Sequence, residues 1–156
     1  MALKLTIITP GKSKETWLQA AVDDYVRRLR RYCAVHFAIV RDVPDDRPVS
    51  RVIAEEGQNI LTRLQPQDYV IALDLGGEQP DSPQLAANLM RWFEAGGSEI
   101  VFVIGGANGL DDAVLQRAQQ RLCLSRLTWT HQMARLLLLE QCYRAFRIAH
   151  NEPYHR

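Results

Sequence analysis

Apolar positions along the chain switch repeatedly between two spacings. "LKLTIIT", Leu3–Thr9, is a short β-rich run that stops at Pro10-Gly11, a turn signal. From Ser13 the spacing changes. Leu18, Val22, Tyr25, Val26 and Leu29 recur three or four residues apart, which predicts a helix through "KETWLQAAVDDYVRRLRRY". "CAVHFAIV", Cys33–Val40, is again strand-like. The polar loop "RDVPDDRP", Arg41–Pro48, holds two prolines and is the one candidate flexible insert. Then "VSRVIAEEGQNILTRL", Val49–Leu64, is helical, with Val52, Ile53, Ile60 and Leu61 on one face and Gly57 as its weak point.

The second half repeats the scheme with longer apolar runs. "DYVIALDL", Asp68–Leu75, is nearly continuous, as expected of a strand covered on both faces. "GGEQPDSP" turns into a helix, with Asp81 or Ser82 as N-cap and Pro83 in the first turn. That helix, "QLAANLMRWFEAG", stops at Gly96-Gly97. "SEIVFVIGG", Ser98–Gly106, is a second buried strand, and "LDDAVLQRAQQ" a short helix. "LCLSRLTW", Leu122–Trp129, is predicted as a fifth strand. "HQMARLLLLEQCYRAFRIAH", His131–His150, is a long final helix. The order βαβαβαβαβα predicts an α/β domain with a mostly parallel sheet and helices on both faces. With 156 residues and no repeat or second composition, residues 1–156 read as one domain.

Composition narrows the class. The chain is 47% apolar and 24% charged, as in an ordinary globular protein. Its net charge of +1 does not announce a nucleic-acid binder, so any RNA contact must come from a local patch or from shape. The three cysteines, Cys33, Cys123 and Cys142, are far apart and form no C-x-x-C, which supports neither a disulfide framework nor a zinc site. The apolar start is too short for a signal peptide, and no run reaches the ~18 apolar residues of a membrane span. A reducing cytoplasm is the expected compartment.

Candidate chemistry gathers at strand ends. In "VFVIGGANG" a buried strand empties into Gly105 and Gly106, whose missing side chains let a backbone approach a ligand. The spacing is G-G-x-x-G, without the dinucleotide fingerprint or the P-loop lysine, so a tight turn and a ligand loop stay equally open. "IALDLGG" repeats the design, with Asp74 as a turn-capping or functional carboxylate. "LSRLTWTHQ" runs from a strand end into a helix start, where Thr130 suits the N-cap and His131 the first turn. Leu136–Leu139 are consecutive, so the last helix needs cover all round, and a second copy of the chain is the economical source. Glu140 and Arg144 stand one turn apart and should pair; Arg144 is otherwise a substrate contact. Arg27, Arg28, Arg30 and Arg31 form either a solvated face or a strip that meets phosphates.

"VFVIGGANGL", "LTWTHQMARLLLLEQCYRAFRI" and "NEPYHR", in that order, resemble the ribosomal RNA large subunit methyltransferase H family, a branch of the SPOUT or α/β-knot methyltransferases. The resemblance spans nearly the whole chain and is most specific in the C-terminal third. It implies a C-terminal trefoil knot, which general rules of connection would not predict. It implies S-adenosylmethionine as cofactor, a homodimer, and a pseudouridine of large-subunit rRNA, methylated at N3 in the assembled ribosome. Carried onto this sequence, the cofactor pocket uses Leu73, Gly105, Gly106, Ser125, Arg126, Leu127, Thr128, Trp129 and Thr130. Family members commonly have proline where Thr130 stands. Arg144 and His131 become substrate contacts, and no metal is implied. Tyr154, His155 and Arg156 become the catalytic tail, laid over the partner's pocket. His155 is the expected base for the N3 proton, Arg156 the anion-stabilising group and Tyr154 a stacking or hydrogen-bonding contact.

Overall fold

The strand runs pair in one direction only. In a computed structural model, which describes residues 2–155, the order along the chain is β1 (Leu3–Pro10), α1 (Thr16–Leu29), β2 (Cys33–Val40), α2 (Val49–Leu61) and β3 (Val70–Glu78). Then come α3 (Ser82–Ala95), β4 (Glu99–Val103), α4 (Asp112–Arg117), β5 (Gln120–Leu122) and α5 (His131–Ala149). The five strands form one sheet in the order β2-β1-β4-β3-β5, and every pairing is parallel. The chain therefore steps outward to β2, crosses to β3, returns to β4 and crosses again to β5. Such reversals open a crevice at the carboxyl ends of the strands.

Both faces are covered. Val22 and Leu29 of α1, Leu85, Leu89 and Phe93 of α3, and Leu138, Leu139 and Phe146 of α5 bury one face, against Leu5, Ile71 and Phe102. Ile60 of α2 and Val114 of α4 bury the other, against Ile8, Val70 and Val103. Each fully buried side chain of this size is worth about 1.5–3 kcal/mol. All three cysteines are buried with free thiols.

Local signals set the ends of several elements. Asp81 caps α3 by accepting from Gln84 N at 2.8 Å, while the Gln84 side chain accepts from Asp81 N at 2.9 Å; Pro83 stands in the first turn. Thr130 caps α5 through Met133 N at 3.2 Å. One expectation changes. The fifth strand does not run from Leu122 to Trp129; β5 is Gln120–Leu122, and residues 123–130 form an irregular loop. Among the described residues β5 is an edge strand paired with β3 alone, and β3 bulges: Leu73 and Glu78 both oppose Leu122. With no ladder beyond Leu122, the next apolar residues turn toward a cavity. Within one chain α5 leaves Leu136 and Leu137 only half-buried.

Gly57 is not a weak point but a contact. A β-carbon there would stand 2.8 Å from Asp111 Cβ, at the cap of α4. Gly57→Ala should therefore lower stability by about 1–3 kcal/mol through overpacking, outweighing a helix-propensity gain of about 1 kcal/mol. Urea unfolding checks this, and a stabilised variant would refute the close approach.

Candidate active site

Three strand-end loops converge. Leu73, Asp74 and Leu75 stand in the bulged half of β3, Ile104–Gly109 leave β4, Leu122 ends β5, and Leu124, Ser125, Leu127, Thr128 and Trp129 follow it. With His131 and Ala134 of α5 they line a cavity of ≈ 350 Å³. That size lies at the lower end of small-ligand sites. Ile104, Leu122, Leu124 and Ala134 give it an apolar floor, while Asp74, Asn108, Ser125 and Thr128 bring polar groups. The rim is unusually apolar: Leu75, Leu127 and Trp129 are exposed at 61%, 70% and 40%.

Close approach favours glycine in the β4 loop, against backbone at Gly105 and against a carboxylate at Gly106. A β-carbon on Gly105 would stand 2.7 Å from the Gly109 carbonyl oxygen, and one on Gly106 would stand 2.8 Å from Glu56 Oε1. Gly109 itself has φ +86, open to glycine and costly for other residues. The loop after β5 is held by its own bonds. Leu127 N donates to Ser125 Oγ at 3.0 Å, and the Cys123 thiol donates to the Ser125 carbonyl at 3.1 Å.

A charged layer lies behind these loops. Arg135 is 4% exposed and donates to the carbonyls of Pro10 at 2.7 Å and Gly11 at 2.6 Å. Burial lowers its pKa, and Asp42 opposes that shift. Glu56 is 7% exposed, and its Oε1 has no hydrogen-bond partner among the described residues. Burial, then the charges of Asp42 and Asp45, push its pKa up. Burial and Arg135 push the His131 pKa down, which favours a neutral imidazole at the cavity wall.

The tail after α5 is folded rather than frayed. Asn151 takes a left-handed φ of 54. Asn151 N donates to the Ile148 carbonyl at 3.1 Å and Glu152 N to the Arg147 carbonyl at 2.8 Å, the bond pair of a Schellman turn. Glu152 then accepts from Tyr32 Oη at 2.9 Å and Arg147 Nη1 at 2.7 Å. Arg147 also donates to the Pro153 carbonyl at 2.8 Å. Tyr154 packs edge-on to Tyr143, with centroids 4.9 Å apart, and Arg144 lies 4.8 Å from the centre of its ring.

The comparisons with known proteins agree with this geometry. The sequence model of the predicted SPOUT methyltransferase family matches residues 3–155. The chain belongs to the SPOUT methyltransferase family. It is 42% identical over 159 residues to the ribosomal RNA large subunit methyltransferase H of Clostridium acetobutylicum, covering 99% of this chain and 100% of the relative. It is 43% identical to the protein of the same name from Ruminiclostridium cellulolyticum, with the same coverage. A probable methyltransferase from Bordetella pertussis Tohama I has a solved structure that superposes with a TM-score of 0.53 at 16% identity, over 92% of this chain and 94% of that one. That likeness concerns the fold.

This SPOUT methyltransferase brings most of the expected cofactor residues together. Leu73, Gly105, Gly106, Ser125, Leu127, Thr128 and Trp129 line the cavity. Arg126 is exposed and off its wall, and Thr130 serves as the helix cap. His131, expected at the substrate, stands in the cavity wall. Arg144 is held by Glu140, the structural pairing, through Nε at 3.1 Å. Tyr154 and His155 do not reach the cavity within one chain. His155 borders a neighbouring hollow with Asp81, Ser82, Pro83, Leu124 and Gln141; Leu122 and Leu124 wall both spaces. Arg156 lies outside the described residues. Among those residues no cluster suited to a metal ion occurs, and no helix is long and apolar enough to cross a membrane. Sequence reasoning missed Glu56 and Arg135. Arg135 had a signal, a lone cation at the head of four leucines; Glu56 had none.

Two outcomes follow. Glu56 has a raised folded pKa, so its favourable contribution is complete below the unfolded value near 4.5 and is lost as pH rises through the folded value. Glu56→Gln should therefore gain stability over the parent as pH climbs above that range, and denaturant midpoints from pH 4 to 8 check it. A gap independent of pH would contradict the buried carboxyl. Asn151→Val should lose about 1–2 kcal/mol, because a β-branched residue resists the left-handed region, whereas Asn151→Gly should fold normally.

Proposed function

We propose that this chain transfers the methyl group of S-adenosylmethionine to N3 of a pseudouridine in large-subunit rRNA, acting as a homodimer on the assembled ribosome in the cytoplasm. What carries the reading is the full-length likeness to relatives named ribosomal RNA large subunit methyltransferase H, together with a folded tail that keeps Tyr154 and His155 in order. The cavity suits the cofactor. Its volume of ≈ 350 Å³ lies within the range of small-ligand sites, and Gly105 and Gly106 line it without side chains. Leu73, Gly105, Gly106 and residues 125–129 would hold it, with Thr130 fixing the helix start. When bound, S-adenosylmethionine supplies an electrophilic methyl on a sulfonium, so the chain's own task is alignment and proton removal.

N3 of pseudouridine carries an imide proton that must leave for the nitrogen to act as nucleophile. His155 supplies an imidazole, the side chain most often used as a general base. In one chain its Nδ1 stands 3.4 Å from Arg144 Nη1. An arginine only donates, so this contact leaves the ring proton on Nε2. His155 therefore accepts a proton once its ring turns Nδ1 away from Arg144, and a contact this long is easily exchanged. Arg144 then faces the developing imide charge, and Arg156 adds a second cation. The tail of one protomer reaches the partner's cavity. Half-buried Leu136 and Leu137, with the apolar rim of Leu75, Leu127 and Trp129, offer the surface that a second copy would cover.

The test is methyl transfer from labelled S-adenosylmethionine to ribosomes, isolated subunits, free rRNA and tRNA, with mass mapping of the product. The expected result is one N3-methylated pseudouridine, formed in assembled ribosomes. Label on tRNA would remove the assigned substrate. His155→Ala should bind cofactor normally and lose about 10²–10⁴ in kcat.

A further inference from the structure

The Tyr154 hydroxyl is not free for substrate. It lies 3.0 Å from the Tyr25 hydroxyl and donates to Glu140 Oε1 at 3.3 Å. The same Glu140 oxygen accepts from Arg144 Nε and Nη2. Arg144 in turn covers the Tyr154 ring and touches His155. Burial, then the Tyr25 hydrogen bond and Glu140, raise the Tyr154 pKa, so this phenol stays protonated and keeps donating.

These contacts form one closed circuit. Tyr25 on α1 fixes Tyr154; Tyr154 and Arg144 share Glu140; Arg144 meets both the Tyr154 ring and the His155 imidazole. From these contacts we infer that Tyr25 and Glu140 are positioning residues for methyl transfer, holding Tyr154 and Arg144 so that His155 is presented in one arrangement. The inference rests on the proposed role of the tail. A second girdle, Glu152 with Tyr32, Arg31 and Arg147, anchors the turn independently. Loosening the first circuit should thus misplace His155 without releasing the whole tail. Glu140 acts on two groups at once, so its loss should exceed that of Tyr25.

Tyr25→Phe removes one oxygen and keeps the ring beside Tyr143, at 6.0 Å between centroids. Glu140→Gln keeps an acceptor for Tyr154 but removes the charge that holds Arg144. Both are measured in the full-length chain, with ribosomes and S-adenosylmethionine as substrates, for kcat, KM, cofactor affinity and melting temperature. Tyr25→Phe should lower kcat on the order of tenfold, and Glu140→Gln further, since a small misplacement of a reacting group costs up to about a hundredfold. Cofactor affinity and melting temperature should hold, and KM should change less than kcat. Unchanged kcat in both variants, with His155→Ala inactive, overturns this inference and leaves the reading of the tail standing. A loss of kcat that only tracks a lowered melting temperature also overturns it. Full activity in His155→Ala overturns the tail reading itself, and this inference with it.

Discussion

The Arg135 guanidinium holds the two halves of the molecule in register. Its two bonds reach the carbonyls of Pro10 and Gly11, at the end of β1, from the first turns of α5. A buried carbonyl left without a donor costs about 1–3 kcal/mol. Arg135 satisfies both carbonyls and fixes where α5 begins. Everything chemical hangs from that helix: His131 and Ala134 at its start wall the cavity, and Glu140 and Arg144 further along receive the tail. A buried cation without a carboxylate in contact is an expensive fastener, and Asp42, placed near enough to oppose the pKa shift, offsets part of that cost.

The fold was legible wherever a signal was local. The Asp81 cap, the Thr130 cap and the Glu140–Arg144 pair all act within a few residues, and the chain places them as read; β4 likewise ends just before Gly105-Gly106, whereas β3 runs on through Gly76-Gly77 to Glu78. The misreading at Leu122–Trp129 has a clear origin. Leu122 and Leu124, and then Leu127 and Trp129, alternate in pairs as strand residues do, but Leu124 faces the cavity and Leu127 and Trp129 form its rim. Alternation reports that side chains have two environments; it does not report that one of them is a sheet. The fixed tail was beyond local reading for the opposite reason. Its partners Tyr25 and Tyr32 lie on or beside α1, at the far end of the sequence.

The electrostatics explain how a chain of net charge +1 can resemble, over its full length, relatives named as ribosomal RNA methyltransferases. The arginines at the end of α1 do not form a bare strip. Arg27 and Arg28 pair with Asp24, and Arg31 meets Glu152. Exposed pairs of this kind add little stability, but they spend charge that would otherwise attract any polyanion. A surface balanced in this way favours docking by shape over capture of loose RNA.

The 19 residues of α5 also work as a ruler. At 1.5 Å per residue the helix spans about 28 Å, and the turn at Asn151 sends the chain back along it to meet Glu140. Distance and rotation are then locked together. One inserted residue between Arg135 and Glu140 would slide the far half by about 1.5 Å and swing it by about 100°, carrying Glu140 and Arg144 away from Tyr25. Substitutions along the outer edge of α5 leave that calibration untouched, whereas any change in its length breaks it. Evolutionary drift in this segment should therefore run through side chains and not through length.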